Sequence, residues 1–227
     1  MKTIIGVIML IMMTTLSYAN DIYVTQSGNA LDLDITQDGE NNTVGNSTTA
    51  SASAGVTTIL NIDQIGDSNV ITYQINGATY TGVINLVGNS NNVDLNCDST
   101  GGNSSCGTAN AVINFTGSSN DIDLDIGQTS SANTADVDIV GQSGSDSNVI
   151  AATVDGNSAI LTITVNGDTN NYLIDIDGNG DSVGHTLIHS HTGGIADVDI
   201  IQSGTNDNMI TLTTSGDNAD IDISQTD

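Results

Sequence analysis

Ile, Val and Leu recur at alternate positions in short runs along most of this chain, and clusters of Gly, Asn, Ser and Asp separate the runs. Alternation with a period of two puts one set of side chains on each face of a β-strand. Gly and Asn supply the left-handed backbone that tight turns demand. One phrase keeps returning: ADVDIVGQSGSDSNVI from Ala135, ADVDIIQSGTNDNMI from Ala196 and ADIDISQTD from Ala219, with looser copies from Ala30 and Thr57. A chain that repeats a strand–turn–strand unit stacks rungs instead of closing one core. The pattern predicts an all-β fold, a β-solenoid of eight or nine rungs, amyloid-like, with repeats of 22–23 residues (Gly66 to Gly88, Gly144 to Gly167) and inserted loops. It forms one domain over residues 20–227. The absence of proline fits continuous ladders.

In the strand from Ala219 to Gln225, Ile221, Ile223 and Gln225 point one way and Asp220, Asp222 and Ser224 the other. A recurring inward amide is costly unless it is bonded, and copies stacked about 4.8 Å apart can bond one another. The expected inward ladder is Gln26, Gln37, Gln64, Gln74, Gln142, Gln202 and Gln225 with Asn42, Asn69, Asn120, Asn148 and Asn208. Val87, Thr116 and Asn166 stand where three units lack the first Gln.

At these residues the chain resembles the curlins, the subunits of curli fibres. Their repeat has an inward Gln, a Gly two residues on, an Asn, and an apolar strand ending in a second Gln. The copy here is Gln64-Ile65-Gly66-Asp67-Ser68-Asn69, continuing through Val70 and Ile71 to Gln74. The resemblance covers most of residues 21–227. It implies a secreted structural subunit, at the surface of a bacterium, that self-assembles into amyloid-like fibres for cell adhesion and biofilm matrix. Its implied partners are further copies of itself, a nucleator subunit and an outer-membrane secretion pore. The chain stops two residues after Gln225, within a repeat, where an open strand edge is expected to template the next subunit.

Residues 1–19 read as a secretory signal peptide, with Lys2, an apolar run from Ile4 to Met13 and Ser17-Tyr18-Ala19 before the cleavage point. The run is too short to span a bilayer, which takes about 20 residues, and no membrane insertion is expected. Lys2 is the only Lys or Arg, and the formal net charge is −26. Such a polyanion does not bind nucleic acid, because phosphate contacts need cations. An exported chain meets an oxidising compartment, so Cys97 and Cys106 are expected to form a disulfide.

The outward aspartates are expected to lie in rows, Asp over Asp, either solvated or bridged by Ca²⁺. Asp175, Asp177, Asn179 and Asp181 match the first half of a calcium-loop pattern, but Thr186 stands where its Glu belongs. No cofactor is required on this reading, and Ca²⁺ is the candidate ion. His185, His189 and His191 read as surface polar residues, with transition-metal binding as the sharper alternative. No nucleophile–base pairing stands out, so no enzyme activity is expected. Two rival functions are a monomeric Ca²⁺-dependent surface adhesin or spacer, and an ice-binding solenoid, for which only Thr162-Ile163-Thr164 and Thr211-Leu212-Thr213 have the spacing.

Overall fold

The computed structural model describes residues 21–27, 29–39, 42–45, 51–66, 69–88, 90–97, 106–117, 119–127, 134–142, 144–156, 158–177, 185–204 and 208–226. Side chains are described for all of these but 21, 25–27, 51–56, 76 and 77. The expected signal peptide, Asn179, Asp181 and the Gln26 side chain therefore lie outside the described residues.

The described residues form seventeen strands and no helix. They are β1 (Asp21–Ile22), β2 (Thr25–Ser27), β3 (Ala30–Asp38), β4 (Thr43–Val44), β5 (Ser51–Ile65), β6 (Val70–Val87), β7 (Asn92–Cys97), β8 (Thr108–Thr116) and β9 (Asp121–Gly127). After them come β10 (Thr134–Gly141), β11 (Val149–Asp155), β12 (Ser158–Asn166), β13 (Asn170–Asp177), β14 (Thr186–Thr192), β15 (Ala196–Ser203), β16 (Met209–Ser215) and β17 (Ala219–Thr226). Their pairings are parallel, and from β6 onward each strand pairs with the strand two along the chain. That is the topology of a β-solenoid with two sheets. The front sheet holds β3, the second halves of β5 and β6, and β8, β10, β12, β14 and β16. The back sheet holds β4, the first half of β6, and β7, β9, β11, β13, β15 and β17.

The register shows why these sequences stack. One inward front-sheet column reads Ile35, Ile62, Ile84, Ile113, Ile139, Ile163, His189 and Leu212, and so counts eight coils. Successive coils are 27, 22, 29, 26, 24, 26 and 23 residues apart in this column, so the expected 22–23 is the short end of the range. Six stacked isoleucines suit a pleated surface, and each buried one contributes about 2 kcal/mol of apolar transfer. Across the core the back sheet supplies Tyr73, Leu95, Leu124, Ala152, Ile174 and Ile200 in a matching column.

Volumes trade off down the columns. Phe115 lies next to Gly141, where an added Cβ would fall 2.6 Å from the ring. Along β6 Tyr80 folds over Gly82, two residues on, with 2.5 Å from its hydroxyl oxygen to the would-be Cβ. A close-packed interior accepts a large side chain only where a neighbour is small.

The turn from front to back sheet carries the tightest constraint. Gly88 has φ of +156°, and a Cβ there would sit 1.5 Å from the Gly66 carbonyl oxygen. Two residues on, Ser90, Ser119, Ser147 and Thr169 have φ between 57° and 62°. At the opposite turn Cys97 and Cys106 are joined by the expected disulfide, with Cα atoms 5.8 Å apart.

The Gly88→Ala change is expected to destabilise the chain by at least about 2 kcal/mol, because coil spacing must yield as well as backbone conformation. Gly144→Ala, at φ of +90° with nothing within 4 Å, pays only the conformational part. Urea unfolding followed by circular dichroism of the two variants reads the difference, and equal losses would remove the stacking argument.

Candidate functional site

Four coils place an asparagine immediately after a left-handed turn residue, at Ser90, Ser119, Ser147 and Thr169. The register of turns aligns Asn42, Asn69, Asn91, Asn120, Asn148 and Asn170, all buried. Each Nδ2 donates to the carbonyl three residues earlier: Gly39, Gly66, Gly88, Gly117, Ser145 and Gly167. Each of several Oδ1 atoms accepts from the neighbouring coil. Asn91 Nδ2 donates to Asn120 Oδ1 at 2.9 Å, Asn120 to Asn148 at 2.9 Å, and Asn148 to Asn170 at 2.8 Å. The backbone N–H groups of Asn91, Asn120 and Asn148 donate to the same oxygens at 3.3, 3.0 and 3.1 Å. Asn42 N–H likewise donates to Asn69 Oδ1 at 3.3 Å. The series breaks once, where Asn91 Oδ1 meets no donor, and it ends where Ala196 and Ala219 follow Asn170 in the column.

Of the expected ladder, Asn42, Asn69, Asn120 and Asn148 take these places. Asn91 and Asn170 belong as well. The Gly-x-x-Asn spacing of Gly88 and Gly167, the same as that of Gly117 and Asn120, marks them. Asn208 lies elsewhere, at the start of the front sheet, where its Oδ1 accepts the His185 backbone N–H at 3.2 Å.

The glutamines do not form one ladder. Gln37 and Gln64 are buried in the front sheet, joined at 2.5 Å, and Gln37 Nε2 also reaches the Thr43 carbonyl at 3.5 Å. Their column continues as Leu86, Phe115, Gly141 and Val165. These residues, and not Val87, Thr116 and Asn166, replace the glutamine. Gln202 and Gln225 face inward in the back sheet, at the other end of the molecule. Gln202 Nε2 donates to the His185 carbonyl at 3.1 Å. Gln225 Nε2 donates to the Asn208 carbonyl at 2.7 Å and to Gln202 Oε1 at 3.4 Å, although the last coil leaves Gln225 exposed. Two of the expected inward glutamines face solvent. Gln74 falls between inward Tyr73 and Ile75, and Gln142 comes one residue after inward Gly141, so strand alternation turns both outward.

The three histidines overturn their expected surface position. His185, His189 and His191 all point into the seventh coil and are buried. Tyr172, from the back sheet, packs edge-on against His189 at 4.3 Å between ring centroids, and its hydroxyl hydrogen-bonds His191 Nδ1 at 2.9 Å. His185 Nδ1 accepts the Ala159 N–H at 3.2 Å. Neither ring nitrogen of His189 has a partner. Burial, reinforced by His191, pushes the His189 pKa down to about 4. Burial also lowers His185 and His191, against a weaker upward pull from Asp177 and Asp168 respectively.

The outward aspartates form rows only in part. Asp94 stacks on Asp123, Asp155 on Asp177, Asp197 on Asp220 and Asp199 on Asp222. Burial, then Asp94 and Asp121, raise the pKa of Asp123. At three other places the neighbour of an aspartate in its column is an asparagine that donates to it. Asn61 donates to Asp34 at 2.8 Å, Asn85 to Asp63 at 2.5 Å and Asn96 to Asp125 at 3.1 Å. Asp175 and Asp177 sit half-buried on β13, and Asp177 accepts a hydrogen bond from Ser203. Among the described residues no three His, Cys, Asp or Glu are grouped to hold a metal ion, and no helix is long and apolar enough to cross a membrane.

Comparison of the chain with family models, with curated proteins and with solved structures returned no match.

Two outcomes follow from this geometry. Asn120→Ala removes the acceptor of two Asn91 donors, and is expected to cost about 3 kcal/mol. Hydrogen exchange at the Asn91 N–H should accelerate with it, and unchanged protection there would contradict the ladder. The second concerns acid. Above about pH 6.5 the imidazoles are neutral in both folded and unfolded chains, so they add no pH dependence. Below it the unfolded chain binds protons that buried His189 refuses until about pH 4, so stability falls with pH across that window. The loss from His189 is on the order of 3 kcal/mol by pH 4. His189→Leu, matching Leu212 in its column, should flatten the curve in urea titrations, and an unaltered slope would contradict burial of a neutral ring.

Proposed function

We propose that this chain is a secreted structural subunit whose coils add end to end, building curli-like fibres for cell adhesion and biofilm matrix. The observation that carries the reading is the pairing of β15 with β17. ADVDIIQS lies on ADIDISQT residue for residue, Ala196 on Ala219 through Gln202 on Gln225 and Ser203 on Thr226. A coil of this type therefore recognises another of its own kind, by backbone ladder, by apolar column and by amide. The same chemistry works between molecules as within one. Every side chain of β17 is exposed, including inward-directed Ile221 and Ile223 at 37 % and 49 %, and the described residues supply no strand beyond it. A further coil would cover that surface.

The formal charge of −26 opposes this association, so salt should promote it. At neutral pH and about 0.5 M salt, where the screening length is only a few ångströms, the purified chain is expected to form unbranched filaments in electron microscopy. Fibre diffraction should show a repeat near 4.7–4.8 Å along the axis, and EDTA should change neither result. A chain that remains monomeric for days at high concentration in this salt overturns the reading. Filaments that vanish with EDTA would favour a calcium-linked assembly instead.

A further inference from the structure

The two outer faces of coils six to eight differ in charge. On the back sheet, the outward positions of β13, β15 and β17 carry six aspartates: Asp175, Asp177, Asp197, Asp199, Asp220 and Asp222. On the front sheet, the outward positions from Ile160 to Asn166 read Ile, Thr, Thr, Asn. Those of β14 read Thr, Ile, Ser, Thr, and those of β16 read Met, Thr, Thr, Ser. None is charged. Ile160, Ile188 and Met209 stand out from this face at 43 %, 39 % and 50 % exposure.

We propose that this neutral front face is where a second copy of the chain docks side by side, face to face. Charge selects the occupant. Apart from Lys2 the chain has no Lys or Arg, so no copy offers cations to another copy's aspartate face. Two copies meeting back to back would set six carboxylates against six, whereas two meeting front to front oppose none. Chemistry supports the same choice. A two-fold interface must be complementary to itself, and hydroxyls and amides each donate and accept, so Thr, Ser and Asn satisfy copies of themselves. The three apolar side chains supply the contacts that exclude water.

Size sets the strength. Three strands about 4.8 Å apart, each with four outward side chains about 6.8 Å apart, give a patch of roughly 350 Å² per partner. The total of about 700 Å² falls short of the roughly 1,200 Å² of stable complexes, so a single pair is weak, with a dissociation constant on the order of 0.1–1 mM. If subunits also add end to end, the face repeats along the filament and many weak contacts act together. The pairing itself does not rest on that end-to-end reading.

The test separates the two. Ile223→Pro in outermost β17 removes a ladder donor and blocks coil addition. Sedimentation velocity of that full-length variant, from 0.02 to 2 mM in 0.5 M salt, should show monomer passing to dimer. Adding Ile188→Asp, or independently Thr164→Asp, at these solvent-facing positions should weaken the dimer at least tenfold. Leu173→Asp on the back sheet, exposed at 50 % against 39 % for Ile188, should not. Circular dichroism checks that each variant keeps its sheet. In the chain without Ile223→Pro, I188D filaments should be single where the parent's are paired. A strictly monomeric chain at 2 mM overturns the proposal, as does a dimer indifferent to both face substitutions. A monomer whose front face slows ice growth would reassign that face to ice.

Discussion

Everything in this molecule is held to one spacing. Parallel strands in register put each side chain directly above and below another, about 4.8 Å away. A residue is therefore tolerated only if its column tolerates it. Ile35, Ile62, Ile84, Ile113, Ile139 and Ile163 pass that test by being alike. Phe115 passes because Gly141 leaves it room. The turn glycines pass because nothing larger fits against the preceding carbonyl, as Gly88 shows beneath Gly66 and Gly216 beneath Gly193. Aspartate is admitted on itself only on the outer faces, as at Asp197 and Asp220, and at Asp34, Asp63 and Asp125 a neighbouring asparagine donates to it instead.

Strand alternation is a local signal, and what depends on it alone could be read from the sequence. The two-faced strands, the Asn42, Asn69, Asn120 and Asn148 positions and the Cys97–Cys106 bridge all follow from short-range pattern. Which sheet a strand joins is not local. The returning phrase ADVDI builds β10 in the front sheet and β15 in the back sheet, so it marks half a coil and not a whole one. The copies also differ by one residue between the phrase and its glutamine, as Gly141 precedes Gln142 where Gln202 follows Ile201 directly, and one residue reverses the face. The burial of the histidines is likewise not a local property. His189 is buried because Tyr172 lies across from it, and Tyr172 comes from a different sheet seventeen residues earlier in the chain.

Polar groups inside the solenoid are unevenly placed. The paired glutamines occupy opposite ends and opposite sheets, Gln37 with Gln64 in front and Gln202 with Gln225 behind. The three imidazoles sit together in the seventh coil, where Leu187 is their apolar companion on the same strand. Between these regions the inward columns are hydrocarbon: Leu86, Leu95, Ile113, Leu124, Val137 and Ile139 among them. The middle coils thus gain cohesion from apolar contact and from the asparagine row beside it. The two ends rely more on amides and rings whose bonding is incomplete, as the unpartnered His189 and Gln64 Oε1 atoms show.

Because all these pairings run parallel, the solenoid is directional, like an arrow. Its leading and trailing faces can never be interchanged by rotation. A filament made from such units inherits a heading, with chemically different tips: imidazoles lie near one tip, and the Gln37–Gln64 pair lies near the other. Growth would then proceed at unequal speeds from the two tips, and anything that caps one tip would leave the other free.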